Sequence, residues 1–156
     1  MAPSGNTIVV TGGYSADDPG EPRKDVWAYD IEKASWKQKA SMPFARAGHA
    51  MATVGGKIYV IGGSGKDAAK VMVYDLANDA WHTVASMPTP RRALAVATDG
   101  KKIYAVGGIT ANGSVSGVLE AFDPAAGTWS SLPSMSSPRG ALSAAFLNRS
   151  EEHTSE

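Results

Sequence analysis

Apolar positions in this chain fall mainly in short runs of period two, each bounded by glycine or by a cluster of turn-forming residues. Residues 57–61 (Lys-Ile-Tyr-Val-Ile) and 102–106 (Lys-Ile-Tyr-Ala-Val) are β-branched or aromatic runs stopped by a Gly pair, and read as strands. Residues 46–54 and 91–98 supply a strand before each, joined through Gly55-Gly56 and Asp99-Gly100, the chemistry of tight hairpin turns with positive φ. Third strands are predicted at 26–29, 71–74 and 118–122, and fourth strands begin at Trp36, Trp81 and Trp129. The segments between third and fourth strands are rich in Asp, Asn, Pro, Gly and Ser, as turns require. An Ala-rich stretch, 92–97, is short and runs into a hairpin turn, so it is read as strand and not helix.

The same order of signals returns three times. An aromatic-Asp pair is followed seven residues later by Trp, six later by Met and four later by Arg: Tyr29-Asp30/Trp36/Met42/Arg46, Tyr74-Asp75/Trp81/Met87/Arg91 and Phe122-Asp123/Trp129/Met135/Arg139. A glycine doublet precedes each set, at Gly12-Gly13, Gly62-Gly63 and Gly107-Gly108. A period of 45 to 48 residues is that of propellers and arrays, in which one supersecondary unit is copied in tandem. Four antiparallel strands with apolar residues on both faces describe a blade sandwiched between neighbours.

The doublet, Tyr-Asp, Trp, Met-Pro and Arg, recurring in phase over residues 6 to 148, resemble the kelch repeat. Departures are small: Phe122 replaces Tyr, Ser136 replaces the Pro of Pro43 and Pro88, and Thr11 and Ala105 vary the second strand. The fold class expected is all-β, a partial kelch β-propeller of about three four-stranded antiparallel blades. Each signature residue has a packing role: the doublets permit a sharp turn and close approach, the tryptophans bury area between blades, and the Asp residues bond turn amides.

Used as a ruler, the repeats place blade 1, lacking its first strand, at 6–45, blade 2 at 46–90, blade 3 at 91–138 and the first strand of blade 4 at 139–148. Gly5-Asn6 and Asn148 occupy hairpin-turn positions, so Met1 is expected to be an internal methionine and the chain an open arc of a six-bladed ring. Uncovered blade faces at both ends are expected to be sticky, and two copies could close the ring. Residues 149–156 (Arg-Ser-Glu-Glu-His-Thr-Ser-Glu) read as the translation of a sequencing adapter and are set aside as an artefactual tail.

Composition changes this picture little. Fifteen basic and fifteen acidic residues leave no net field, which argues against nucleic acid or an anionic membrane as partner; without the tail, 14 basic face 12 acidic residues. The absence of Cys removes disulfide and thiolate chemistry but leaves the compartment unknown. Gly62-Gly63-Ser64-Gly65-Lys66 resembles the end of a phosphate loop, yet Val60 stands where Gly is needed and Asp67 where Ser or Thr should follow. Asp17, Asp18, Glu21 and Asp25 are spaced unlike a calcium loop, and His49 and His82 fall in different strands, so neither a metal nor any other cofactor is expected.

Candidate binding residues lie on loops. Fourth-to-first and second-to-third connections share one face of an antiparallel propeller, which collects Arg46, Arg91, Arg92 and Arg139 with Tyr14, Ser64 and Thr110. The kelch resemblance implies that arginines at this repeat position line a shallow pocket for acidic peptides or glycan carboxylates, since guanidinium forks suit carboxylates. The competing role is structural bridging. The function expected is a non-enzymatic module recognising a protein, a peptide or an acidic glycan. The alternative is a carbohydrate-active enzyme resembling kelch-type sialic-acid epimerases, with His49 moving protons.

Overall fold

The computed structural model describes residues 6–148, and these contain eleven strands and, among the described residues, no helix. Blade 1 holds β1 (Thr7–Thr11), β2 (Val26–Asp30) and β3 (Ser35–Lys39), blade 2 holds β4 (Ala50–Val54), β5 (Lys57–Ile61), β6 (Val71–Asp75) and β7 (Ala80–Val84), and blade 3 holds β8 (Ala95–Thr98), β9 (Ile103–Val106), β10 (Leu119–Asp123) and β11 (Thr128–Leu132). Each blade is an antiparallel meander in chain order, three-stranded in the first case and four-stranded in the others. This is the all-β arrangement of antiparallel blades that the sequence predicts. Both the Gly5 turn position and residues 149–156 lie outside the described residues.

Cores form between blades. Val26 and Met42 of blade 1 meet Val60 and Met72 of blade 2. Ala52, Tyr59, Ile61, Val71, Val73 and Met87 on the opposite face of blade 2 meet Leu94, Ile103, Ala105 and Phe122 of blade 3. Period-two alternation thus sends odd and even strand positions to two different neighbours, which is why both are apolar.

The glycine doublets make the seams. Each first Gly has positive φ, and a Cβ there would stand 2.3, 2.5 and 2.6 Å from the carbonyl oxygens of Arg46, Arg91 and Arg139 respectively. The amide of each second Gly donates to that same carbonyl, Gly13 to Arg46 at 2.8 Å, Gly63 to Arg91 at 2.8 Å and Gly108 to Arg139 at 2.9 Å. The close approach that the doublet permits is therefore that of the following repeat's backbone. Indole N–H groups add a second tie: Trp81 donates to Ala40 O at 2.8 Å and Trp129 to Ala85 O at 2.9 Å, each reaching the preceding blade.

The structure departs from the expected boundaries at the first strands, which begin at Ala50 and Ala95 instead of at the arginines. Two residues after each signature arginine the backbone turns left-handed, at Gly48 (φ 65°), Ala93 (φ 51°) and Ala141 (φ 52°). These three residues are linked in series, Ala93 N to Gly48 O at 2.8 Å and Ala141 N to Ala93 O at 2.7 Å, a main-chain belt running across the repeats. The blade 3 hairpin also differs from that of blade 2. Gly55 and Gly56 join β4 to β5 directly with φ of 59° and 75°, whereas β8 and β9 pair from Thr98 to Ile103, so Lys102 lies in the turn. There the Asp99 carboxylate accepts the amides of Lys101 and Lys102 at 2.8 and 2.7 Å. Residues 139–148, read as a first strand, keep the Arg139 and Ala141 backbone ties but contain no strand.

Candidate functional site

The connections between second and third strands converge with the segments around Arg46 and Arg91, through the bridges Ala47 to Ser64 and Arg92 to Ile109. Between them lies a cavity of about 270 Å³, flanked by Ser64, Pro90, Arg92 and Ile109. The Tyr14 hydroxyl lies 3.5 Å from Ser64 Oγ, so a rim residue of blade 1 reaches this edge. Thr110 adjoins it through its carbonyl, which accepts Arg92 Nη1 at 3.2 Å, while its hydroxyl is turned to Asn112.

The arginines divide by accessibility. Arg46 is 0% exposed and Arg91 1%. Arg46 donates from Nη1 to the carbonyls of Ala45 and Lys66 and from Nη2 to that of Asp67, while its Nε is buried with no partner. Arg91 donates from Nε to Thr89 O, from Nη1 to Gly107 O and Val118 O, and from Nη2 to Glu120 at 2.7 Å. Burial pushes both guanidinium groups below their usual value, opposed by Asp67 for Arg46 and by Glu120 for Arg91. Both thus hold the loop after the second strand of their own blade. Both guanidinium groups are enclosed and offer no exposed donors to a ligand, although Arg91 is among the residues lining the cavity. Arg139 is exposed, with Nε 3.4 Å from Ser137 O.

Arg92 differs from all three. Its counterparts in the other repeats are Ala47 and Gly140, so the charge is particular to this seam. It is half-buried and, among the described residues, spends one bond on protein. The remaining donors of its fork are available beside Ser64.

His49 lies next to Gly63 but faces inward. Its Nε2 is 2.7 Å from Thr11 Oγ1, and its Nδ1 is buried with no partner. Burial, followed by the charge of Arg46, pushes the imidazole below its ordinary value, opposed by a hydrogen bond with Thr11. The ring is therefore held neutral between blades, away from the cavity. No group of three or more potential metal ligands occurs among the described residues.

Glu120 escaped the sequence reading. It occupies the strand position held by Trp27 and Met72 in the other blades, and a carboxylate where its repeats carry large apolar groups signals a buried cation partner. The aromatic-Asp carboxylates accept turn amides: Asp30 from Glu32 and Lys33, Asp75 from Ala77, and Asp123 from Ala125 and Ala126. Trp36, unlike Trp81 and Trp129, is 55% exposed.

Comparison with known proteins places these features in context. A family model described as the KLHDC2/KLHL20/DRC7 Kelch-repeats domain matches residues 1–150. Among curated proteins, human Kelch-like protein 30 is 37% identical over 71 residues, covering 45% of this chain and 12% of the relative. Human Kelch-like protein 23 is 41% identical over 64 residues, covering 41% of this chain and 11% of the relative. The matched stretch is thus a small part of those proteins. Among solved structures, YjhT superposes with a TM-score of 0.75 at 21% identity, over 86% of this chain and 51% of YjhT, a likeness of fold alone.

Proposed function

The chain belongs to the KLHDC2/KLHL20/DRC7 Kelch-repeats domain family, and on that premise we propose that it is a binding module whose ligand docks over Arg92 at the seam of blades 2 and 3. Kelch repeats are in general protein-interaction modules. The observation that carries the finer reading is the contrast among the arginines: Arg46 and Arg91 are enclosed, whereas Arg92 presents unspent donors beside Ser64 and a cavity of about 270 Å³. A guanidinium fork with spare N–H groups suits a carboxylate, so the ligand class is an acidic peptide or protein segment. Tyr14 supplies an exposed ring at the same edge, the kind of residue that anchors interfaces.

The catalytic alternative finds less support. His49, the imidazole it relies on, is engaged with Thr11 and does not line the cavity.

Fluorescence anisotropy with a panel of acidic, neutral and basic peptides tests the reading. The acidic peptides should bind, and Arg92→Ala should weaken that binding by tenfold or more while leaving the melting temperature unchanged. Equal binding by parent and variant would overturn it.

A further inference from the structure

The loop between β9 and β10 carries an Asn112-Gly113 pair, hydrogen-bonded to the residue that holds Arg92. Asn-Gly is turn chemistry, and here the loop is closed by the Ile109 to Val115 bridge and by Gly113 N donating to Thr110 O at 2.9 Å. The pair also has a reactivity that a turn does not require. The side-chain amide carbon of an asparagine can form a five-membered ring with the backbone nitrogen of the next residue, and a glycine there puts no side chain in the path of attack. Of the four asparagines only Asn112 has this successor; Asn6, Asn78 and Asn148 precede Thr7, Asp79 and Arg149.

The local geometry favours the reaction. Asn112 Oδ1, on which negative charge develops during attack, accepts the Ser114 amide at 3.0 Å and the Thr110 hydroxyl at 2.5 Å, shorter than that hydroxyl's 3.2 Å to Ser114 O. Donors already aimed at the developing oxyanion need no rearrangement. Gly113, at φ +86°, is surrounded by open space, since a Cβ built there meets nothing within 4 Å. The leaving nitrogen, Asn112 Nδ2, holds no bond among the described residues, whereas those of Asn6 and Asn78 are tied to Glu32 and Asp75 at 2.8 and 2.7 Å. Every group involved belongs to residues 110–114, so the site is complete within one loop.

We propose that Asn112 is a site of spontaneous modification, deamidated through a cyclic imide, and that the carboxylate so formed attenuates the Arg92 site. Hydroxide takes the Gly113 amide proton once the bond to Thr110 O opens. The nitrogen then adds to Asn112 Cγ, the Cγ–Nδ2 bond breaks, and ammonia leaves with a proton from water. Hydrolysis of the imide consumes one water and leaves aspartate or isoaspartate at position 112, with no change of oxidation state. The need to open the turn bond makes the conversion slow, so that it marks the age of the protein. Thr110 connects this chemistry to the binding site, since its hydroxyl holds Asn112 while its carbonyl accepts Arg92 Nη1 at 3.2 Å. A negative charge placed there competes with an acidic ligand for the remaining guanidinium donors. The attenuation rests on the acidic-ligand reading; the deamidation does not.

The purified chain, incubated at pH 7 and at pH 9 and digested for mass spectrometry, provides the test. The peptide spanning position 112 should gain the mass difference between amide and acid, contain isoaspartate, and convert faster at pH 9, while the peptide spanning Asn78 stays unchanged. Asn112→Gln, which needs a larger ring, should abolish the gain, and Thr110→Val should slow it several-fold with the circular dichroism of the parent retained. Asn112→Asp should weaken the binding of an acidic peptide about threefold, the effect of one nearby carboxylate. Conversion at Asn112 no faster than at Asn78, or undiminished by Thr110→Val, would overturn the modification site. Unchanged affinity in Asn112→Asp would overturn the attenuation. If no acidic peptide bound the parent chain, the ligand reading would fall and the attenuation with it, while the mass spectrum would still decide the modification.

Discussion

The Arg91 to Glu120 pair, with side chains 0% and 2% exposed, puts a concentrated charge interaction inside the interface of blades 2 and 3. Removing Arg91 leaves the buried Glu120 carboxylate with the Thr89 hydroxyl as its remaining partner, a buried charge with no counter-ion. Arg91→Ala should therefore cost about 3–5 kcal/mol in urea unfolding, whereas the double change Arg91→Met with Glu120→Leu should recover most of the loss. His49 gives a pH signature. Its native value lies below the ordinary 6.5, so beneath that pH the unfolded chain takes up a proton that the native state refuses. Stability is full above about pH 6.5 and declines as the pH falls toward the depressed native value; the melting temperature should drop from pH 7 to pH 5, and His49→Asn should flatten that slope. Neither role was legible from the sequence. An Arg repeated in phase looks the same whether its fork is spent on carbonyls or free, and only Glu120, a charge in an apolar column, hinted at the difference.

At the scale of strands and turns the sequence was far more informative, because period-two alternation and turn chemistry act locally. Predicted and observed third strands coincide to within a residue or so, and β5 is identical to its prediction. Misses occurred where a distant partner decides. The first strands were overextended because a left-handed residue such as Ala93, held by a bond to Gly48 of the adjacent repeat, carries no sequence mark. Residues 139–148 have the pattern of a strand but not the neighbour that would make them one. The doublets offer a direct test of seam against turn. Gly62→Ala would drive a Cβ to 2.5 Å from Arg91 O at φ +71°, and should destabilise by more than the about 1–2 kcal/mol of the left-handed conformation itself. Gly55→Asn, at φ +59° with open space around it, should stay within about 0.5 kcal/mol. Thermal and urea denaturation of the two variants would distinguish these outcomes.

For the whole molecule, repetition made the architecture readable while concealing the site. Copies reveal the fold by agreeing with one another, but a binding residue is informative where copies disagree, as Arg92 does with Ala47 and Gly140. Ile8, Trp27 and Trp36 are exposed at the blade 1 end, where no further sector lies against that face among the described residues. The glycine-to-arginine ties engage only amide and carbonyl atoms and ask nothing of the side chains on the approaching sector beyond room to come close. The same coupling recurs at Gly12-Gly13, Gly62-Gly63 and Gly107-Gly108. A substitution in the surface loops therefore leaves this main-chain fastening untouched, so loop chemistry can vary from sector to sector without loosening it.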